Sequence, residues 1–251
     1  MVLDGHKSQI VATAISSTSK WAATAEGTTN DVRLWLFSQG KEGGLLKGPK
    51  SGTVRALAFS PDDQELAVAC STELFRWDLM RMEIVKTLKL TRLCPAIQYS
   101  PDGSMLAAAI GSDLVLLDRR TSKERYRFFA HEKGISRIAF SPDSKSIAAA
   151  LADGSVTIWN LKDAPAPTHL KAHEFVISGL AFADNRLLCT GSWDGSVAIW
   201  DLQTLDKKTI AERNRDLVSA LSVSIESNLL AFSTHEGHLR IWDLKLNREI
   251  V

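Results

Sequence analysis

The chain has 251 residues, 45% of them hydrophobic and 24% charged, which is the composition of a globular protein and excludes a disordered, collagenous or coiled-coil chain. Lys and Arg number 30 against 29 Asp and Glu, so the formal net charge of +1 supplies no global field for nucleic acid or an anionic membrane. No apolar run approaches the roughly 20 residues of a membrane-spanning helix, and the opening MVLDGHKSQI is too polar for a secretory leader. These features predict a cytoplasmic protein, with a nuclear location also open. Cys70, Cys94 and Cys189 are widely spaced with no CxxC pair, so reduced core thiols are expected rather than disulfides or a zinc site.

Taken in chain order, strand-like windows alternate with a second column that mostly ends in Trp. IVATAI from Ile10 precedes VRLW at Trp35; VRALAF from Val54 precedes LFRW at Trp77; CPAIQY from Cys94 precedes LVLL at Leu117. The second half continues with ISRIAF from Ile135 and VTIW at Trp159, ISGLAF from Ile177 and VAIW at Trp200, and VSALSV from Val218 and LRIW at Trp242. Successive members of the second column lie 42, 40, 42, 41 and 42 residues apart. The fifth window residue is small in five copies (Ala14, Ala58, Ala139, Ala181, Ser222) and Gln98 in the third, as strands packed against close neighbours require. Turns follow the windows at SPDD from Ser60, SPDG from Ser100, SPDS from Ser141 and ADN from Ala183.

Each repeat therefore reads as three or four short antiparallel strands. A sheet of about 42 residues cannot bury both of its faces alone, so neighbouring repeats must stack on it. The six repeats run approximately over 5–46, 47–89, 90–130, 131–171, 172–211 and 212–251, and a single all-β domain over 1–251 is expected.

Copies running from Gly-His or Ala-His to Trp-Asp resemble the WD40 repeat family. The best copy is AHEFVISGLAFADNRLLCTGSWDGSVAIWDL, from Ala172 to Leu202; Trp77 and Trp242 are also followed by Asp, and Trp159 by Asn160. The resemblance covers the whole chain and implies a β-propeller of four-stranded antiparallel blades, with six blades recognisable. The copies are unequal: His6, His131 and His173 fill the family's histidine column, and the other three repeats have no histidine there.

His173, Ser192, Asp194 and Trp200 include the residue types of a hydrolase triad. The resemblance implies a structural role instead, in which the imidazole bridges a turn carboxylate and a strand hydroxyl while the indole donates at the far end. Partial recurrence as His131, Asp153 and Trp159 favours that reading, because a nucleophilic site is needed once whereas a staple serves every blade. The six windows contain no Asp, Glu or His, which leaves no acid–base set on the innermost strands. His235 and His238 lie three apart in a turn without an evident third ligand, so neither a metal nor a cofactor is expected.

The resemblance further implies that the loops before the windows and the turns before the Trp column share one binding face. The first set contributes Lys7, Lys50, Arg92, Lys133, Phe175, Arg213 and Arg215; the second contributes Glu26, Asp113, Trp193 and His235. Trp193, Phe175, Arg215, Arg213, Lys133, His235 and Arg92 are the candidate protein-binding residues, since an exposed indole near guanidinium groups is the composition of an interface hot spot. The run RRTSKERYR from Arg119 to Arg127 reads as a solvated edge rather than a nucleic-acid or lipid site.

The expected function is a non-enzymatic scaffold that binds a protein or peptide, either as a monomeric domain or as a subunit of a larger complex. The alternative is a structural assembly subunit with an open ring edge, completed by a strand or blade of a partner chain; a propeller hydrolase is the least favoured. The simplest closure pairs the opening MVL with the outer strand near Val251, and an open array is the other reading.

Overall fold

The computed structural model describes residues 5–27, 31–48, 52–71, 73–130, 132–162, 166–212 and 215–250. The chain divides into two compact units, Met1–Phe129 and Ala130–Val251, and each unit carries three sheets.

In the first unit, the first blade comprises β1 (Ile10–Ile15), β2 (Trp21–Glu26), β3 (Val32–Leu36) and β4 (Lys41–Leu46). The second comprises β5 (Val54–Phe59), β6 (Glu65–Cys70), β7 (Glu73–Asp78) and β8 (Glu83–Lys89), and the third β9 (Ile97–Tyr99), β10 (Met105–Ile110), β11 (Asp113–Asp118) and β12 (Glu124–Phe129). In the second unit, the fourth blade comprises β13 (Ile135–Phe140), β14 (Ser146–Leu151), β15 (Ser155–Asn160) and β16 (Thr168–Lys171). The fifth has β17 (Ile177–Phe182), β18 (Leu187–Ser192), β19 (Val197–Asp201) and β20 (Lys207–Ala211), and the sixth β21 (Val218–Ser224), β22 (Leu229–Thr234), β23 (Leu239–Asp243) and β24 (Arg248–Glu249). Every blade is a four-stranded antiparallel meander in chain order.

The core lies between successive blades of a unit. Val32, Leu34 and Leu46 of the first blade meet Val54, Leu66 and Phe75 of the second, and Val156 and Leu170 of the fourth meet Ile177, Leu188 and Trp200 of the fifth. The second strands of the second to fifth blades are covered on both faces, which explains the alanines of MLAAAI and SIAAAL: Ala107, Ala108, Ala148 and Ala149 are fully buried. Opposite the Trp column stand Leu66, Leu106, Ile147, Leu188 and Leu230, all fully buried; truncating any of them to Ala costs about 2–5 kcal/mol.

Where inner strands approach most closely, even a methyl is excluded. A Cβ on Gly179 of β17 would lie 2.9 Å from the Leu221 backbone nitrogen of β21. The SPD turns work as the sequence predicts. Ser60, Ser100 and Ser141 are buried, and each donates to the Asp two residues on and accepts the N–H five residues on. The fourth residue of each turn, Asp63, Gly103 or Ser144, adopts a left-handed φ of 55° to 70°.

Cys70, Cys94 and Cys189 are free and buried, and burial pushes their thiols up to about 11, about 12 and about 12. The sixth blade takes its fourth strand from its own residues, Arg248–Glu249. The expected join through residues 1–3 and Val251 lies outside the described residues. Among the described residues, no helix is long and apolar enough to cross a membrane.

Candidate functional site

The fifth blade holds the most complete polar network. His173 enters from the loop before β17, and Asp194 from the β18–β19 turn. His173 Nδ1 lies 3.3 Å from Asp194 Oδ2 and 2.9 Å from Ser196 Oγ, while Nε2 lies 2.8 Å from Thr190 Oγ1. The Trp200 indole N–H donates to the same Thr190 hydroxyl at 3.2 Å. Asp194 also accepts the Ser196 N–H at 2.9 Å and its hydroxyl at 2.6 Å, which rigidifies the turn.

An ionised carboxylate only accepts hydrogen bonds, so Nδ1 carries the imidazole proton and Nε2 accepts from Thr190. Burial, the largest influence on His173, lowers its pKa and keeps the ring neutral, with Asp194 pulling the other way. Burial opposes ionisation of Asp194, but the Ser196 hydroxyl and N–H outweigh it and hold that pKa below the usual carboxylate range.

The strand hydroxyl that meets the imidazole is that of Thr190, not the expected Ser192. Ser192 Oγ is instead drawn to the carbonyls of Phe175 and Val176, at 3.1 Å each, and accepts the Asp194 N–H. Thr190 is fully buried and already accepts the indole N–H, so no substrate carbonyl can reach its oxygen.

The first blade repeats the network with a substitution that sequence reasoning missed. His6 Nδ1 lies 2.9 Å from Glu26 Oε1, His6 Nε2 lies 2.6 Å from Thr24 Oγ1, and Trp35 donates to Thr24 at 2.7 Å. Glu26, expected on the open face, is therefore 6% exposed and committed to His6; its carboxylate projects from the end of β2 to where a turn aspartate would otherwise stand. Strand pairing supplies the missing signal. Thr24 and Thr190 each lie two residues beyond the partner of the blade's Trp, and the other blades carry Val68, Ala108, Ala149 and Phe232 there.

In the fourth blade, Asp153 accepts the Ser155 N–H at 3.1 Å and its hydroxyl at 2.6 Å, as Asp194 does with Ser196, and Trp159 is buried. His131 lies outside the described residues, as do Arg213 and Lys50. Gly154 in that turn has φ +85° and its Cβ position falls 2.4 Å from the His173 carbonyl oxygen, so the turn seats directly on the next blade's loop.

Above this network lie the candidate binding residues of the second unit. Trp193 is 48% exposed and Phe175 54% exposed. The Trp193 N–H donates to the Val176 carbonyl at 3.0 Å, which ties the two aromatic-bearing loops together. Lys133, Arg215 and His235 are exposed on neighbouring loops of the same unit, and Arg92 is exposed in the first unit. Asp113, another expected face residue, is paired with Arg127 at 2.7 Å.

The sixth blade exchanges the roles of loop and turn. Asp216 comes from the loop and His238 from the turn, with His238 Nδ1 3.0 Å from Asp216 Oδ2, and the Glu236 N–H donates to Asp216 Oδ1 at 3.0 Å. Burial opposes ionisation of Asp216, but bonds from Thr234, His238 and the Glu236 N–H bring its pKa down to about 2. Asp216, Glu236 and His238 are the one group among the described residues with donors close enough, within 4.8 Å, to share a metal ion. His238 thus has carboxylate neighbours that the spacing of the two histidines does not reveal, and His235 is not part of the group.

The family model for the WD domain, G-beta repeat, matches residues 1–35, 40–78, 122–160 and 166–201, more than half of the sequence. The chain belongs to this family. Among WD-repeat relatives, the target of rapamycin complex subunit wat1 of Schizosaccharomyces pombe is 26% identical over 191 residues, covering 65% of this chain and 54% of wat1. The LST8 homologue of Drosophila melanogaster is 27% identical over 176 residues, covering 64% of this chain and 54% of that protein. COMPASS component SWD3 of Saccharomyces cerevisiae is 25% identical over 197 residues, covering 74% and 62%. The chain thus spans about half the length of the first two. The solved structure of U3-55K superposes with a TM-score of 0.86 at 16% identity, over 97% of this chain and 80% of that one, and the six WD blades form a β-propeller fold.

Proposed function

We propose that this WD-repeat chain is a non-enzymatic scaffold that binds a protein or peptide partner through the loop face bearing Trp193 and Phe175. One observation carries the reading: two large aromatic side chains stand about half exposed on loops that are hydrogen-bonded to each other and braced from below by the His173 network. A rigid exposed aromatic loses little entropy on binding, and exposed Arg215 and Lys133 add a polar rim. Relatives named as subunits or components of protein complexes are consistent with this role. The reading places the protein in the cytoplasm or nucleus.

The test is a quantitative pull-down from source lysate with wild type and a Trp193→Ala, Arg215→Glu double variant whose melting temperature matches wild type. A wild-type partner lost by the variant supports the assignment. Retention of every partner by the variant rejects it.

A second reading is an assembly subunit completed by a strand or blade of a partner chain. It is favoured by β1, an inner strand that leaves Ile10, Val11 and Ile15 exposed while its counterpart β5 buries Val54, Leu57 and Phe59. Solubility only on co-expression with one partner chain would select this reading.

A further inference from the structure

Within the first unit, the strand ends away from the β6–β7 and β10–β11 turns flank an open cavity of about 710 Å³ between the second and third blades. Its lining includes four cations, Arg76, Lys86, Arg119 and Arg120, and two carboxylates, Glu65 and Asp118. Both carboxylates are already engaged. Glu65 accepts from Arg76 at 2.7 Å and 2.9 Å, from Arg119 at 3.2 Å and from the Tyr99 hydroxyl at 3.0 Å. Asp118 accepts the N–H and hydroxyl of Thr121 in its own turn, at 2.7 Å each.

Arg76 is 6% exposed and spends its remaining nitrogen on Ser122, and Arg119 is held in a two-pronged pair with Asp62. These pairs form a rigid, polar floor. Lys86 and Arg120 differ: both are exposed and, among the described residues, neither makes a direct ion-pair contact, Arg120 acting on Asp118 only through space. The site therefore carries surplus positive charge at its rim, where an incoming anion need not displace an internal partner.

One wall is a strand edge. Val85 and Lys86 belong to β8, the last strand of its sheet, which among the described residues pairs only with β7. All but one of its seven residues are exposed, with Ile84 at 41% and Val85 at 48%. An unpaired edge of this length is a template for an added strand, unless something covers it.

We propose that the β8 edge and the adjoining cationic cavity form a second binding site, which takes an extended peptide carrying a phosphorylated side chain. The peptide backbone pairs with β8, and the phosphate enters between Lys86 and Arg120. A dianion suits these two exposed cations better than a single carboxylate does, because it satisfies both charges from one side chain. This site is independent of the aromatic loop face proposed above.

The test is fluorescence anisotropy with a labelled peptide of alternating Val and Thr around one phosphoserine, set against the serine version and a phosphoserine version N-methylated at every second amide. Wild type is expected to bind the phosphopeptide at least about tenfold tighter than either control, with affinity falling as salt rises. A Lys86→Glu, Arg120→Glu double variant should lose that preference while melting at the wild-type temperature, since neither side chain belongs to the Glu65 pairs. Trp193→Ala should bind like wild type. Equal binding of phosphorylated and unphosphorylated peptides, an unaffected double variant, or indifference to N-methylation would each overturn the proposal.

Discussion

Phe232 holds in the sixth blade the strand position that Thr190 holds in the fifth, each two residues beyond the partner of its blade's Trp. The consequence falls on the indoles. Trp200 donates to Thr190, whereas the Trp242 Nε1 is the one buried side-chain polar atom among the described residues without a hydrogen-bond partner. The apolar Phe232 ring offers it no acceptor, and Phe232 contributes instead to the core between the fifth and sixth blades.

The two tryptophans should therefore respond differently to loss of the N–H. Trp200→Phe deprives Thr190 of a donor, while Trp242→Phe removes a donor that was never satisfied. Chemical denaturation is expected to show Trp200→Phe as the more destabilising by about 1 kcal/mol.

Thr190 is the joint of the fifth-blade chain, accepting from Trp200 and donating to His173. Thr190→Val keeps the shape and leaves the indole donor and an imidazole nitrogen buried without partners. A loss of about 1–3 kcal/mol is expected, with most of it recovered in Thr190→Ser, which retains the hydroxyl.

His173 should make stability depend on pH. Its folded pKa lies below the ordinary histidine value near 6.5, so the unfolded chain takes up the proton first as the pH falls. Stability is full above the unfolded value and declines as pH drops from about 6.5 toward the folded one. Asp194, with its folded pKa lowered, adds a further loss at more acidic pH, as it protonates. Denaturant midpoints measured between neutral and mildly acidic pH should fall in wild type, and fall less steeply in His173→Gln.

Glu65 joins the second and third blades, binding Arg76 on its own sheet and Arg119 and Tyr99 on the next. Glu65→Gln leaves the buried Arg76 charge uncompensated, and a cost of about 3–5 kcal/mol is expected by denaturant titration. Asp62→Asn, at a partly exposed carboxylate that also pairs with Arg119, should cost no more than about 1 kcal/mol.

The architecture was legible in the sequence because its signals are local and repeated. Six strand windows at near-constant spacing, small residues where inner strands meet, and three SPD turns each carry their reason within a few neighbours, and the buried serines with left-handed fourth residues follow from turn chemistry alone. The basic run was harder to read. Its ends are neutralised largely by carboxylates outside the run, Arg119 by Asp62 and Glu65 and Arg127 by Asp113 as well as by Glu124 within it, so a charge count over nine residues says little about the field there.

Sequence by itself determined the number of repeats and their make-up of short antiparallel strands, because periodicity and turn chemistry act over short stretches of chain, while the histidine column of His6 and His173 followed from the family resemblance. Only the tertiary structure decided that Thr190 rather than Ser192 meets the imidazole, that Glu26 stands in for a turn aspartate, and that Asp216 reaches His238. Those choices depend on strand register and on the reach of side chains across separate loops. A carboxylate one methylene longer, or a hydroxyl two residues along, changes the partner without changing the pattern of the repeat.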